Sequence, residues 1–328
     1  MHLTLLVPGL LLPPAIRADT LFDLHAPALS RLIGHARRDE LARTALDEIF
    51  DLAPPLPVAA LRKVDAGKTA QGQWLCLDPV HLRVTREGIM LADPAELDLS
   101  AEESAQLLTA CAPMFAAWGE LDSSAPGVWE IQLSQPAALD TRPLPDCVGL
   151  PVDARLPGGN DGRAWRAMLL EAQTVLHQHP INQTREQQGR PTINSLWIWG
   201  GGSLPVLHRP ALDEIWCRSP ILSGLGIHTG ITCKPMPARF TPAPARILAM
   251  EPRLAVPAST MNALEFRNRL LELERDWFSP VLNALQSGEC RSFRLIGSGR
   301  NLQDVSCQLS RTDLWKFWRR PQSLAKLQ

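Results

Sequence analysis

The side chains able to do chemistry are few in type and poorly grouped. Eight histidines occur in 328 residues, and none falls in an HxxxH pair. Two divalent ions acting on a phosphoryl group need about six Asp or His ligands between them, because each ion takes several hard or imidazole donors. His177 and His179 lie two apart at the end of a helical pattern. They point different ways there and read as capping or packing of a turn rather than as ligands. Asp78 and His81 are three apart beside a strand bend. They suit a metal or an acid–base pair, and also a hydrogen-bonded structural pair, which is the preferred reading. Ser30, Ser195 and Ser203 lack a GxSxG elbow, so serine hydrolase chemistry has no support. Gly200-Gly201-Gly202 follows an apolar run, as a phosphate cradle would, but without a GK[ST] or GxGxxG context. Close backbone packing is the competing explanation. The seven cysteines are scattered with no CxxC pair, which suits reduced thiols in the cytoplasm. Tyrosine is absent, so phenol chemistry is excluded.

The elements that must position these groups follow from patterning. Residues 3–7 read as a buried strand ended by Pro8-Gly9. This stretch is too short to span a bilayer and lacks a basic leader region. Helices are expected at 26–37 and 40–50, then a rigid connection through Pro54, Pro55 and Pro57. Residues 73–86 suggest two short strands around Asp78-Pro79, with a turn at Glu87-Gly88 leading into 89–91. Ser100 and Glu103 form a capping box for a helix to about residue 115. Residues 128–133 alternate as a half-buried strand, and 136–162 read as a linker rich in Pro, Gly and Asp. Trp165, Met168, Leu169, Ala172, Val175 and Leu176 then mark one face of a helix. Pro180 stops that helix at His179, Gly189 and Pro191 close a short second helix, and 193–199 is a buried strand. Further strands are expected at 213–217, 231–233 and 292–296, with helices at 260–278 and after Ser279-Pro280. Residues 235–257 read as a proline-rich surface wrap.

The net charge of −1 predicts no strong attraction to nucleic acid or to an anionic membrane, and no segment is long enough to span one. Residues 314–327, LWKFWRRPQSLAKL, combine aromatic and basic side chains. Contact with RNA or a membrane is one reading, and docking of the segment onto the core is the preferred one.

The order His179-Pro180-Ile181-Asn182, Arg185, Gly189, Pro191, Asn194 and Trp199-Gly200-Gly201-Gly202 resembles the archaeal-type cofactor-independent phosphoglycerate mutases of the alkaline phosphatase-like superfamily. There a His-Pro-Val-Asn turn, then Arg, Gly and Pro, precede a strand ending Arg-Gly-Ala-Gly. The run Asn-Ser-Leu-Trp-Ile-Trp-Gly-Gly-Gly is also similar to the RpfE-type regulatory proteins of proteobacteria, a likeness extending over the chain. The resemblance implies an α/β fold, with a three-layer α/β/α alkaline phosphatase-like core from residues 1–70 and 155–328. A small α+β domain would be inserted at 71–154.

This chain departs from the mutases where they keep their metals and nucleophile. Pro8 stands where the family has a metal-binding Asp, and Gly297-Ser298-Gly299 where a late strand ends in Asp-His. The interval that holds the nucleophilic Ser contains only Thr44, which stays open as a displaced nucleophile. The expectation is a catalytically degenerate, regulatory protein with no catalytic residue and no metal. It would bind a small phosphorylated or carboxylated ligand or a protein partner. The resemblance points to Arg83 as a match to the family's phosphoglycerate-binding arginine. The other candidates are His179, Asn182, Arg185, Trp199 (in place of the family's arginine) and the backbone of Gly200, Gly201 and Gly202. Arg83 would lie in the inserted domain and Arg185 in the core, so a ligand could bridge them. The alternatives are an active mutase or phosphatase with two divalent ions such as Mn or Zn, and an interaction scaffold.

Overall fold

The computed structural model describes residues 1–300 and 302–327. In chain order come β1 (His2–Pro8), α1 (Pro14–Leu21), α2 (Pro27–His35), β2 (Arg37–Glu40), α3 (Ala45–Phe50) and α4 (Val58–Asp65). Next are β3 (Gln73–Val80), β4 (Leu82–Thr85), β5 (Gly88–Leu91), α5 (Ala101–Phe115), β6 (Gly119–Ala125) and β7 (Val128–Leu133). Then follow α6 (Leu144–Cys147), α7 (Gly162–Gln178), α8 (Pro180–Gln187), β8 (Ser195–Gly202), β9 (Glu214–Cys217) and α9 (Pro220–His228). The last are β10 (Thr232–Pro235), β11 (Arg246–Met250), α10 (Ala255–Ser259), α11 (Ala263–Leu273), α12 (Ser279–Ser287), β12 (Ser292–Gly299) and β13 (Leu302–Ser310). Two compact units result: residues 1–52 with 207–328, and residues 53–206.

The first unit is built on a seven-stranded sheet in the order β10-β9-β11-β1-β12-β13-β2. The first five of these run parallel, and β13 turns back antiparallel to β12. A parallel strand covered on both faces is largely apolar, as β1 is from Leu5 to Val7. Leu3, Leu5 and Val7 join the large core with Leu29 and Ile33 of α2, Leu270 of α11 and Val281 of α12. Leu6 faces the other way, with Ile296, Leu41 and Ala45 of α3. Helices therefore cover both faces, and the unit is a three-layer α/β/α core.

Between α11 and α12 the helix widens into a π turn, Glu274–Phe278, that turns Glu274, Asp276, Trp277 and Phe278 inward together. The Glu274 carboxylate accepts from the backbone N–H of Ala28 at 2.6 Å and of Leu29 at 3.0 Å. It thus caps α2, whose own N-cap residue, Ala26, has no side chain able to do so.

The second unit has a four-stranded sheet, β6-β7-β3-β8. Leu75, Ile131, Leu196 and Ile198 pack against α5 and α7 through Phe115, Trp165 and Leu176. The opposite face carries a buried charge network under α4. Lys63 reaches Glu130 and Asp122 at 2.9 Å each, and Arg62 reaches Asp78 at 2.8 Å.

Several expectations are corrected. The expected limits at residues 70 and 155 fall at 52 and 206. The reason is that β8 pairs with β3, which takes α7, α8 and β8 out of the core and into the inserted unit. The proline-rich stretch 235–257 contains β11, a central strand beside β1. The expected 40–50 helix begins only at Ala45, and β3 runs unbroken through Asp78-Pro79. In the 314–327 segment Leu314, Leu324 and Leu327 do dock into the core, but Trp315, Phe317 and Trp318 stay exposed.

Candidate functional site

Parallel sheets collect ligands beyond the carboxyl ends of their strands, because there the loops can converge without closing the sheet edge. At that edge of the first unit, β9 runs out into Arg218, β10 into Met236-Pro237-Ala238 and β11 into Glu251-Pro252-Arg253. Pro237 and Pro252 have no N–H to continue a ladder, so the chain leaves the sheet at these points. The π turn adds Asp276. Together they line a pocket of about 240 Å³.

The pocket is organised around Arg253. Its Nε lies 3.1 Å from Glu251 Oε1, its Nη1 3.1 Å from Asp276 Oδ2, and its Nη2 donates to the Ala238 carbonyl at 3.0 Å. Arg275 adds a fork onto Asp276 at 2.8 and 3.0 Å, and Arg239 approaches the same carboxylate at 3.4 Å. The hydrogen bonds from Arg275, with Arg253 behind them and burial opposing, hold the Asp276 carboxyl down at about 2. Both carboxylates are buried and fully engaged by arginine. Arg218 is different: it is exposed on the pocket rim and has no hydrogen bond or ion pair among the described residues. The pocket lining thus holds two guanidinium groups and two carboxylates, and Arg239 and Arg275 reach Asp276 from outside that lining, so Arg218 is the lining guanidinium left without a carboxylate. Such a site suits a small anion, which arginine binds in a planar fork.

The two-metal centre implied by the superfamily does not fit these residues. The relevant edge is where β1 and β12 lie side by side, with Pro8 opposite Ser298. Leu10, Leu11 and Leu12 fill it and are fully buried. A Cβ built on Gly297 would meet the Leu10 side chain at 2.9 Å, and one on Gly299 would strike the Leu11 carbonyl. Among the described residues no group of three or more His, Cys, Asp or Glu could hold a metal ion. Thr44 caps α3, accepting from the Asp47 N–H at 3.3 Å.

The ligand-binding candidates singled out from sequence lie in the second unit. Asn182 donates to the carbonyls of Leu176 and Ile193 and accepts from the Ile193 N–H at 2.8 Å. His179 caps α8 through the Ile181 N–H at 3.3 Å, while His177 is exposed. Arg185 is buried, clamped by Glu103 and the carbonyls of Leu97 and Pro191. Arg83 pairs with Glu96 at 2.6 Å on the surface. Both arginines belong to one unit, so the expected bridge between domains is corrected. Trp199 donates to Asp78 at 2.7 Å. Burial raises the Asp78 carboxyl, against the pull of Arg62. His81 instead bonds the Thr192 carbonyl while Asp78 bonds Arg62 and Trp199, so the two form neither the expected hydrogen-bonded structural pair nor an acid–base pair. Gly200 has φ +61°, and a Cβ there would come 2.7 Å from Val58. Gly201 faces the Leu75 side chain and Gly202 faces Pro57, so the three glycines allow close packing against β3 and the start of α4.

The arginine pocket was missed because its residues come from four separate segments. One signal was available: the apolar run Ile247-Leu248-Ala249-Met250 ending in Glu251-Pro252-Arg253. It has the form of a buried parallel strand delivering charge to its carboxyl end.

Comparison with known proteins places these findings. No family model matches the chain. It is 31% identical over 102 residues to the 2,3-bisphosphoglycerate-independent phosphoglycerate mutase of Methanosarcina acetivorans, a match covering 29% of this chain and 25% of that protein. The corresponding enzyme of Methanothrix thermoacetophila is 30% identical over 95 residues, covering 27% and 24%. The match thus spans about a quarter of these relatives' length. Among solved structures, the PH0037 protein of Pyrococcus horikoshii aligns with a TM-score of 0.56 at 14% identity, over 94% of this chain and 87% of that one. A cofactor-independent phosphoglycerate mutase of Thermoplasma acidophilum aligns at 0.46 and 15%, over 94% and 89%. The fold is of the alkaline phosphatase type, and part of the chain is phosphoglycerate mutase-like in sequence.

Proposed function

We propose that this chain is a catalytically degenerate, phosphoglycerate mutase-like protein of the cytoplasm. It binds a small phosphorylated or carboxylated anion at the arginine pocket and acts by regulation rather than by turnover. The observation that carries this reading is Arg218, exposed on the pocket rim with no ion pair of its own among the described residues. Glu251 and Asp276 neutralise Arg253 and hold it in place. With Arg253 so occupied, the donor that an incoming anion meets is Arg218. Arg83 and Arg185, the earlier candidates, are engaged elsewhere.

Calorimetry with 3-phosphoglycerate, inorganic phosphate and citrate tests the proposal. A charge-assisted hydrogen bond contributes about 1.5–3 kcal/mol, so Arg218→Ala is expected to weaken the best ligand by roughly 10- to 100-fold. The same protein, purified without chelator, is expected to carry less than stoichiometric Mn or Zn. An anion that binds equally well to Arg218→Ala removes the pocket from the proposal. Two tightly held ions per chain, with mutase or phosphatase turnover, would restore the enzyme reading.

A further inference from the structure

The segment after β13 combines a fixed backbone with exposed rings. Its backbone is held by α2 and β2. The Gln322 N–H donates to Ser30 at 2.9 Å, Arg319 donates to the His35 carbonyl, and Arg38 donates to the Lys326 carbonyl at 2.9 Å. The Arg320 carbonyl sits so close to Gly34 that no Cβ would fit there. Yet the side chains of Trp315, Phe317 and Trp318 are 75%, 89% and 66% exposed. Aromatic rings of this size are among the largest apolar surfaces a protein can bury. Three of them displayed on an anchored loop form a ready-made contact surface.

Charge indicates what the surface meets. Residues 311–327 contain five Lys or Arg and one carboxylate side chain, Asp313. Lys316 pairs with Asp313, and Arg319 is occupied by His35. Arg311, Arg320 and Lys326 have no side-chain partner among the described residues and are exposed.

We infer that this edge is a peripheral docking site for an anionic lipid surface. Indole and phenyl rings favour the headgroup level of a bilayer, and unpaired Lys and Arg beside them meet lipid phosphates. The attraction is local, because the chain as a whole is near neutral. Phe317 and Trp318 meet edge to face at 83°, which does not present successive parallel faces for stacked bases and disfavours single-stranded RNA. A second copy of the chain would bring like charges together, which disfavours self-association through this edge.

The test is co-sedimentation of the full chain with phosphatidylcholine vesicles and with vesicles rich in phosphatidylglycerol, at low and high salt. Binding is expected only to the anionic vesicles, with loss at high salt. Brominated lipid should quench tryptophan fluorescence on binding. Replacing the rings by W315S, F317S and W318S together should cut partitioning by about tenfold or more without lowering the melting temperature. Independently, R320Q with K326Q should weaken binding to anionic vesicles while leaving the rings in place. Absence of binding at low salt overturns the inference, as does binding that ignores both sets of substitutions. Tighter binding to a single-stranded RNA oligonucleotide would reassign the edge. A dimer in sedimentation velocity that the ring substitutions abolish would also overturn the inference.

Discussion

Replacing Arg253 by Met tests whether the pocket's carboxylates depend on that one guanidinium. Glu251 would lose the contacts from Nε and Nη2 and keep only the backbone N–H of residue 253, and Asp276 would lose Nη1 but keep the Arg275 fork. Removing one partner of a buried ion pair costs about 3–5 kcal/mol. Arg253 is 22% exposed along its side chain and Asp276 retains a partner, so the smaller figure of about 2–3 kcal/mol is expected. For a unit of this size that corresponds to a fall in melting temperature of roughly 5–10 °C. Thermal unfolding by circular dichroism at neutral pH measures it. The physical cause is an uncompensated buried charge, so the double change Arg253→Met with Glu251→Gln should recover about 1 kcal/mol or more. A single variant that melts within about 1 °C of the parent refutes the reasoning. So does a double variant that melts below the single one.

Two further outcomes follow from contacts already described. Asn182→Ala removes two hydrogen bonds to Ile193 and one to the Leu176 carbonyl, and should cost about 3 kcal/mol in urea unfolding. His179→Ala, a lost cap, should cost nearer 1 kcal/mol. An unchanged midpoint for Asn182→Ala would show that the turn does not rely on that side chain. Asp276 is held at about 2 in the folded chain against an ordinary 3.8, so its contribution is present above about pH 4 and lost as pH falls toward 2. Asp276→Asn should therefore narrow the stability gap to the parent as the pH is lowered through that window, and a gap constant from pH 5 to 2 would contradict the assignment.

The sequence was readable where local chemistry decides the outcome. The Ser100–Glu103 capping box does open α5, the 3.6-residue stripe from Trp165 does make α7, and Pro180 does end it at His179. It was unreadable where tertiary context overrides the local signal. β11 lies within a proline-rich stretch, yet its five residues are sheltered between β1 and β9, and the prolines fall outside them. β2 is the polar run Arg37-Arg38-Asp39-Glu40, recruited as an edge strand by β13 and signalled by no hydrophobic alternation. The motif residues His179, Asn182 and Arg185 were found as a group. Their partners, however, are backbone carbonyls and Glu103, which no spacing rule supplies. The arginine pocket needs the strand order itself, because Arg218, Arg253 and Asp276 meet only after β9 and β11 are paired.

The π turn has a mechanical consequence. Glu274 grips the start of α2 while Asp276, two residues on, stands in the pocket. The far end of α2, at Gly34 and His35, carries the backbone of the aromatic edge. Nine helical residues of about 1.5 Å rise each form a strut of roughly 13 Å between the two. A helix of that length does not stretch. The π turn beside the pocket and the anchored backbone of the aromatic edge thus bear on opposite ends of one rigid rod.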